Sequence, residues 1–354
     1  MTNPIWMNAI SGKKLDSPPD PLWKVGDSST AGFLVGPGFF DPQVNGFAGV
    51  DFQNPDITTE ELEFALREIQ RAGCSHVLLT LITAGIDSMQ YQFRHLAAIL
   101  QENEFIRQGI LGFHLEGPFI SRKPGFHGAH PPDLVCEPDW SVFEKLQHAS
   151  GGRIRLITLA PELEGSSNFI RKATNSGVMV SLGHTDAGYQ ELLNAVQAGA
   201  RMVTHLGNGC PEQLHRHNNI IQRVLAVPDL LVSLIPDGIH LPSFVLSNLV
   251  HALGSSRVVM TTDAMSAAGA PPGEYRLGRL QLNVGEDRIV MAPGGKSFAG
   301  SSLTMEQGFY NCMRFGGFDA MGAWRAWTRL RTILFPEVEA PWLAVPFGGG
   351  IPEK

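Results

Sequence analysis

Reactive side chains stand at the ends of several short apolar runs in this sequence. Glu116, His184 and His205 form a set of two imidazoles and one carboxylate, which suits zinc or another divalent first-row metal with an open position for water. Such a metal makes hydroxide available near neutral pH. Asp263 closes another run and could take the proton from that water and later give it to a leaving nitrogen.

Each of these residues also has a plainer interpretation. A lone histidine at the end of a strand is more often a structural residue, and Asp263 could cap the segment that follows it. Three separate runs that deliver Glu116, His184 and His205 at matching positions favour the metal site. His114 lies two residues before Glu116 and is expected to support the site or to pack, without binding the metal.

The runs that carry these residues alternate with helical segments. Near-continuous apolar strands between amphipathic helices predict a parallel sheet that is buried on both faces. Eight such units predict an α/β protein with a closed (β/α)8 TIM-type barrel, in which reactive groups gather at the carboxyl ends of the strands. The eight predicted strands are 39–43, 76–80, 110–116, 154–160, 178–183, 202–206, 231–236 and 258–262.

Capping signals predict where three of the helices begin and end. Thr58 or Thr59, with Glu60 and Glu61, should start a helix that ends before Gly73. Asp186 could cap a second helix that stops at Gly199, and a third should cover 244–253.

Composition and charge exclude several classes of protein. The 354 residues include 27 Lys and Arg against 34 Asp and Glu, a formal charge of −7 that argues against a nucleic-acid partner. No apolar stretch reaches about 20 residues, so no membrane association is expected. The four cysteines form no CxxC pair, which favours a reducing compartment, and we expect a cytoplasmic protein.

The segments outside the predicted strands suggest three parts of the chain. Residues 1–37 should form the first part of a small β appendage, and residues 38–315 the metal-dependent hydrolase barrel with a β-like insertion at about 275–295. Within that insertion, 280–284 and 287–291 look like strands. Residues 316–354 should form a C-terminal helix and a Pro- and Gly-rich tail.

Nine motifs in a fixed order resemble the N-acetylglucosamine-6-phosphate deacetylases of the amidohydrolase superfamily. The resemblance covers about residues 36 to 315. The motifs are Pro37-Gly38-Phe39-Phe40-Asp41 with Gln43-Val44-Asn45-Gly46, His114-Leu115-Glu116-Gly117-Pro118-Phe119, Gly128-Ala129-His130, Leu159-Ala160-Pro161-Glu162, Leu182-Gly183-His184-Thr185, Thr204-His205-Leu206-Gly207-Asn208, Asp237-Gly238-Ile239-His240, Thr262-Asp263-Ala264 and Ala299-Gly300-Ser301-Ser302-Leu303-Thr304-Met305.

The resemblance implies a reaction and roles for the site residues. It implies metal-dependent removal of acetate from N-acetylglucosamine 6-phosphate, with Glu116, His184 and His205 as metal ligands and Asp263 as general base and acid. His130 resembles the histidine near the acetyl carbonyl, although His127 competes for that role. For the sugar and phosphate, the resemblance points to Ala129, Asn208, Gly209, Arg216, His240, Phe298, Ala299, Gly300 and Ser301.

The resemblance also implies a homodimer, because in such families a neighbouring subunit helps to close the phosphate pocket. Arg216 could instead be a solvated loop arginine. Many amidohydrolases carry a His-x-His pair on the first strand, where this chain has Gln43 and Asn45. Carboxamides are weaker zinc ligands than imidazole, so we expect one metal per chain, zinc first and iron, cobalt or manganese as alternatives, with both carboxamides organising hydrogen bonds around it.

The sequence departs from the family at its end and in one loop. The closing segment of the family's small β-sandwich looks absent or replaced, so the appendage should be reduced. Trp324, Trp327 and Leu330 recur at helical spacing and should pack that helix on the barrel or on a partner subunit. Gly207 and Gly209 stand where the family often has bulkier residues, so the sugar could differ. Two other functions therefore stay open: an amidohydrolase for another N-acetylated sugar or small amide, and a catalytically silent barrel that binds sugar phosphates.

Overall fold

The protein is described here by a computed structural model, which covers residues 5–20, 22–24, 32–295 and 297–346. The N-terminal strands are short and belong to a small sheet outside the barrel. They are β1 (Ile5–Asn8), β2 (Lys14–Leu15), β3 (Leu22–Lys24) and β4 (Gly32–Pro37). No helix among the described residues is both long enough and apolar enough to cross a membrane.

Eight parallel strands form the central sheet, and they are neighbours in the order in which they follow in the chain. The predicted (β/α)8 barrel is therefore confirmed, and all eight predicted runs contain a strand. In chain order the segments are β5 (Phe39–Val44), the short hairpin of β6 (Gly46–Phe47) and β7 (Val50–Asp51), β8 (Cys74–Ile82), β9 (Ile110–Glu116), β10 (Ile154–Leu159), β11 (Met179–Leu182), β12 (Met202–Val203), β13 (Leu231–Leu234) and β14 (Val258–Met260).

Helices follow these strands and cover the sheet. Thr58 caps α1 through the predicted capping box with Glu61. The expected cap at Asp186 is wrong, because α6 begins only at Tyr189, after Gly188. The helices are α1 (Thr59–Arg71), α2 (Ile86–Glu102), α3 (Glu104–Gly109), α4 (Trp140–Ala149), α5 (Ser166–Asn175), α6 (Tyr189–Ala198), α7 (Ile220–Leu225), α8 (Ser243–Leu253), α9 (Met305–Arg314) and α10 (Ala320–Leu334).

The barrel interior is built in layers by alternate strands, as the period of two along a strand requires. An apolar layer comes from β8, β10, β12 and β14, and Phe40 packs on it. Two residues further along each of these strands, a layer of threonines follows. The apolar layer consists of Leu78, Leu156, Met202 and Val259, and the threonine layer of Thr80, Thr158, Thr204 and Thr261, all of them buried.

Helix α10 covers the barrel where β5 and β14 meet, which is the predicted packing of this helix on the barrel. Trp324 and Trp327 are buried and lie against Phe39, with ring centroids 4.9 and 6.0 Å away. The indole nitrogen of Trp324 donates to the carbonyl of Pro37 at 2.9 Å. These contacts fix the start of β5, the strand that carries Gln43 and Asn45 towards the site.

The insertion and the C-terminal segment differ in part from the prediction. The insertion is a hairpin of β15 (Gly273–Leu277) and β16 (Leu280–Val284), but the predicted strand at 287–291 is wrong. The sequence predicts that the closing segment is absent or replaced, and the structure shows a strand in this part of the chain, β17 (Trp342–Pro346), which pairs with both β4 and β3. Strands β1 to β4 and β17 thus form the predicted β appendage, and the boundaries of the three parts stay a prediction.

Candidate active site

The carboxylate of Glu116, the last residue of β9, collects the two predicted imidazole ligands. Its Oε1 atom lies 3.2 Å from Nε2 of His184 and 2.8 Å from Nε2 of His205. All three side chains are buried. The histidines follow β11 and β12 after one intervening residue each, and both adopt positive φ, +51° for His184 and +29° for His205.

His184 and His130 differ in the partners of their Nδ1 atoms, and this difference favours a metal ligand for His184 and a hydrogen-bond donor for His130. Nδ1 of His184 lies 2.9 Å from the carbonyl of Phe126 and must donate to it, so Nε2 keeps a free lone pair. Nδ1 of His130 accepts instead from the backbone N–H of Thr83 at 3.4 Å and lies 2.8 Å from that residue's hydroxyl. The proton of neutral His130 therefore sits on Nε2, which suits a hydrogen-bond donor better than a metal ligand.

His130 nevertheless belongs to the same cluster. Its Nε2 lies 3.7 Å from Oε2 of Glu116, and its ring centroid is 4.5 Å from that of His184. Glu116, His130 and His184 have possible ligand atoms within 4.8 Å of one another. A long loop after β9 brings His130 there, and only the family resemblance predicted its position.

The cluster is charged as a cation site requires. Burial opposes ionisation of Glu116, but the imidazoles of His184 and His205 outweigh it when they are protonated and donate to this carboxylate, so its pKa lies well below the usual range. Among the residues that the structure describes, the buried Nδ1 atom of His205 has no hydrogen-bond partner. Glu116 is thus an ionised carboxylate between imidazoles, and the neutral form of His184 has its lone pair on Nε2, which faces this carboxylate. These donors fit a divalent metal.

Asp263 stands beside this cluster and is tied to it by amides from β5. Its Oδ1 accepts from Nδ2 of Asn45 at 2.7 Å and from Nε2 of Gln43 at 2.9 Å. The same Gln43 nitrogen donates to Glu116 at 3.0 Å, so one amide bridges both carboxylates. Burial, followed by the charge of Glu116, raises the pKa of Asp263 to about 7.

The loop at 298–301 lies along the segment that carries Asp263. The backbone N–H of Ser301 donates to the Asp263 carbonyl at 2.8 Å, and its hydroxyl donates to the Thr262 carbonyl at 2.6 Å. Gly300 has a φ of +68°, and a Cβ there would lie 3.2 Å from the same Asp263 carbonyl, so only glycine fits. Ala299 is buried in this loop.

At the other end of that loop, the Phe298 ring lies 4.3 Å from the ring of His240. Nδ1 of His240 lies 2.6 Å from Oδ2 of Asp237, whose Oδ1 accepts from the backbone of Ile239 and His240 at 2.8 Å each. Asp237 thus fixes the orientation of His240. The prediction missed this carboxylate, although its spacing of three residues from His240 was a visible signal.

The loop after β12 carries three predicted residues, and the structure places one of them, Gly209, against the cluster. A Cβ on Gly209 would lie 2.7 Å from Nδ1 of His184, which explains the glycine where the family often has a bulkier residue. Nδ2 of Asn208 is buried without a hydrogen-bond partner in the described part of the chain. Ala129 is half-buried on the loop that carries His130. Arg216 is exposed, and no described residue forms a hydrogen bond or ion pair with it.

Asp186, the residue expected to cap a helix, instead pairs with a loop residue and with a residue of α7. Its carboxylate pairs with Lys123 at 2.9 Å and with Arg223 at 3.2 Å. Lys123 lies on the long loop that carries His130, and Arg223 lies on α7. Neither pair follows a local spacing rule, so no sequence pattern could have predicted them.

Fold and site together define a metal-dependent hydrolase of the amidohydrolase type. A D-hydantoinase from Bacillus sp. AR9 shares the fold, with a TM-score of 0.52 at 13% identity over 96% of this chain and 82% of that one. A mutant N-acetyl-D-glucosamine-6-phosphate deacetylase from Mycobacterium smegmatis, solved in complex with N-acetyl-D-glucosamine-6-phosphate, reaches a TM-score of 0.79 at 28% identity, with 90% and 86% of the two chains covered.

Curated relatives narrow this class to one family. N-acetylglucosamine-6-phosphate deacetylase from Lysinibacillus sphaericus is 35% identical over 283 residues, 79% of this chain and 70% of the relative. N-acetylgalactosamine-6-phosphate deacetylase from Escherichia coli O157:H7 is 32% identical over 286 residues, 80% of this chain and 73% of the relative. No protein-family model matches the chain. The chain belongs to the N-acetylglucosamine-6-phosphate deacetylase family, as its motifs predicted.

Proposed function

We propose that this protein hydrolyses the 2-acetamido group of N-acetylglucosamine 6-phosphate to give glucosamine 6-phosphate and acetate. The observation that carries the proposal is the bridge from Asp263 through the Gln43 amide to Glu116, which places a proton acceptor beside the cluster of imidazoles. The Lysinibacillus relative bears the name of this activity, and its similarity extends over most of the chain.

Glu116, His184 and His205 would hold one divalent metal, with zinc as the first expectation and iron, cobalt or manganese as alternatives. When bound, the metal would make a water more acidic and draw electron density from the amide carbonyl. The nitrogens of Gln43 and Asn45 donate to Asp263, and this use of both carboxamides supports a single metal.

Asp263 is the proposed general base and acid. Its carboxylate takes a proton from the attacking water and passes it to the amine nitrogen that leaves the acetyl group. A pKa of about 7 suits both directions of transfer at neutral pH. Because Gln43 and Asn45 both donate to Oδ1, the Oδ2 atom remains for the proton.

His130 is the proposed donor to the acetyl oxygen. Burial, followed by the charge of His184, lowers the pKa of His130 to about 3, so its ring is neutral at pH 7. With Nδ1 facing the Thr83 N–H, the Nε2 proton is free to stabilise the oxyanion that forms on the carbonyl. His127 offers no comparable fixed tautomer: its buried Nδ1 has no partner among the described residues.

The sugar and phosphate are assigned to the loops around this cluster. Asn208 offers an unused amide, and His240 is fixed by Asp237. Arg216 is exposed and suits a dianionic phosphate. The homodimer, in which the partner subunit would complete the phosphate pocket, rests on the family resemblance. Backbone and side-chain contacts to the substrate are assigned to Ala129, Gly209, Phe298, Ala299, Gly300 and Ser301.

The proposal includes the organisation and location of the protein. The barrel of 38–315 carries the reaction, between the appendage segment 1–37 and the C-terminal part 316–354. The four cysteines, Cys74, Cys136, Cys210 and Cys312, are all free thiols, which supports a cytoplasmic protein.

An assay of acetate release decides between the candidate functions. Purified protein is given N-acetylglucosamine 6-phosphate, N-acetylgalactosamine 6-phosphate and unphosphorylated N-acetylglucosamine, and its metal content is measured. Cleavage confined to the first sugar, with about one metal per chain, supports the whole proposal. The galactosamine substrate is included because a relative of nearly equal identity bears its name. Acetate from the unphosphorylated sugar alone would contradict the phosphate assignment, and none from any sugar would favour a silent barrel.

A further inference from the structure

The barrel closes between β5 and β14 in an unusual way. Every other pair of neighbouring strands shares a ladder of backbone pairs. Among the described residues, the backbone contacts here are one bridge between Val44 and Ala264, which lies beyond the end of β14, and a hydrogen bond of 2.7 Å from Asn45 N to the Ala264 carbonyl. Side chains must therefore hold the two strands in register at this seam, directly below Asp263.

Asp41 is the side chain that spans the seam. It is completely buried on β5, and its Oδ1 accepts from the Thr261 hydroxyl at 2.6 Å and from the backbone N–H of Gln43 at 3.1 Å. Its Oδ2 accepts from the hydroxyl and the backbone N–H of Thr262 at 2.6 and 3.0 Å. A buried carboxyl group with four donors holds its neighbours strongly, because hydrogen bonds to a carboxylate are stronger than those between neutral groups.

Both segments that Asp41 holds lead straight into the proposed catalytic group. Thr262 immediately precedes Asp263, whose φ of +52° is costly for a residue with a side chain. Gln43 is two residues after Asp41 and donates to the Asp263 carboxylate. One side chain thus sets the position of the proton acceptor and of an amide that orients it.

We propose that Asp41 is a positioning residue for the deacetylation: by holding Thr261 and Thr262 across the barrel seam, it fixes the geometry of Asp263 against its amide donors. The inference rests on the proposed function of Asp263. A proton acceptor displaced by about 1 Å can cost a reaction roughly 100-fold in rate. Because Asp41 touches none of the residues assigned to the sugar or phosphate, the cost should fall on kcat and not on KM.

The test removes one hydroxyl donor at a time. Thr262→Val and Thr261→Val keep the shape of the side chain, and each should lower kcat roughly 10- to 100-fold while KM changes less than about twofold. Thr262→Ser restores the hydroxyl and should recover most of kcat. Thr328→Val is the matched control, because it removes a buried hydroxyl that donates to the Trp324 carbonyl inside α10. The control should lose thermal stability without losing kcat.

Asp41→Asn should lower kcat further, since an amide cannot accept from all four donors. Should that variant fail to fold, the Thr→Val variants decide alone. If Thr262→Val keeps the wild-type kcat, or if its loss is no greater than that of Thr328→Val, the positioning role is overturned. A wild-type protein that releases no acetate would instead overturn the proposed function, so the two failures are distinguishable.

Discussion

The two ends of the barrel interior differ completely in chemistry, although only two residues along each strand separate them. Towards the amino ends of the strands, Leu78, Leu156, Met202 and Val259 form an apolar layer closed by Leu330 and Phe335. Towards the carboxyl ends, the next layer is the threonine layer, and the proposed metal ligands and Asp263 lie beyond it.

The polar layers are held by hydrogen bonds that run from strand to strand. Nε2 of His114 lies 2.8 Å from the Thr158 hydroxyl, which lies 2.7 Å from that of Thr204. The Ser181 hydroxyl lies 2.6 Å from the same Thr204 oxygen. His114, two positions before Glu116 on β9, therefore belongs to this network of hydroxyl groups.

This difference separates the source of stability from the source of activity. Burying an apolar side chain stabilises the fold by about 1.5 to 3 kcal/mol, whereas burying polar groups costs free energy unless every one is paired. At the carboxyl end, His184, His205 and Asp263 also adopt positive φ, which is unfavourable for residues with a Cβ. Changes at the two ends should therefore have opposite consequences.

The largest effect is expected for Asp263→Asn. Loss of the general base should lower kcat/KM roughly 10²- to 10⁴-fold. The free energy of unfolding should stay the same or rise, because the change removes a buried carboxyl group whose pKa is raised by burial and by the charge of Glu116. Acetate release and urea unfolding measure the two quantities. Asp139→Asn is the control, at the exposed cap of α4. A rate within fivefold of the wild type would remove Asp263 from the mechanism.

Leu156→Ala tests the opposite end. The substitution should lower the free energy of unfolding by about 2 to 5 kcal/mol, since it leaves a cavity in a closed layer. The kcat of the protein that remains folded should stay within about twofold of the wild type, because the polar layers above keep their hydrogen bonds. Leu156→Met conserves the volume and should cost less than about 1.5 kcal/mol. A loss of kcat with stability intact would contradict the separation.

Asp237→Asn should have a smaller effect, confined to substrate binding. It weakens the contact that fixes the ring of His240, so KM for the phosphorylated sugar should rise about tenfold, equivalent to 1.4 kcal/mol. The kcat should stay near that of the wild type, because Asp237 does not bind Asp263 or Glu116. The affinity of unphosphorylated N-acetylglucosamine, measured as a competitive inhibitor, serves as the control. An equal loss of affinity for both sugars would show that His240 does not serve the phosphate.

The features of the barrel that follow from strand periodicity could be predicted from the sequence. Glu116, His184 and His205 could be placed together because they end strands of one parallel barrel, and carboxyl ends of such strands meet at one rim. The apolar runs likewise located all eight strands. These inferences need only local pattern and one rule of barrel geometry.

The sequence predicted little where contacts depend on irregular segments. Asp186 looked like a helix cap but pairs with Lys123 and Arg223, because α6 begins later than the capping pattern suggested. The strand Trp342–Pro346 lies in a Pro- and Gly-rich segment and was not predicted. It forms because it pairs with β4 and β3, which are far away in the sequence, and local composition does not indicate such pairing. The hydrogen bonds of Asp41 with Thr261 and Thr262 could not be predicted either, because they depend on how β5 and β14 meet where the barrel closes.

His76, a polar residue near the amino ends of the strands, provides the test with the smallest expected effect on the difference between the two ends of the barrel. His76 is buried beside Arg331 and lies 2.9 Å from the Ser75 hydroxyl. Burial, followed by the charge of Arg331, lowers the pKa of His76 to about 4, against 6.5 for an ordinary histidine. Between these two values the unfolded chain binds a proton that the folded protein does not, so stability is lost as pH falls from 6.5 towards 4 and is unaffected above 6.5.

His76→Gln should therefore lose less stability than the wild type between pH 7 and pH 5, as measured by urea unfolding at each pH. The exposed His251 on α8 offers a matched control, and His251→Gln should keep the acid sensitivity of the wild type. At pH 7 the kcat of His76→Gln should equal that of the wild type, because His76 lies at the end of the barrel that contributes stability only. An unchanged acid sensitivity would mean that His76 is protonated in the folded state, and a reduced kcat at pH 7 would mean that the apolar layer does not isolate the two ends.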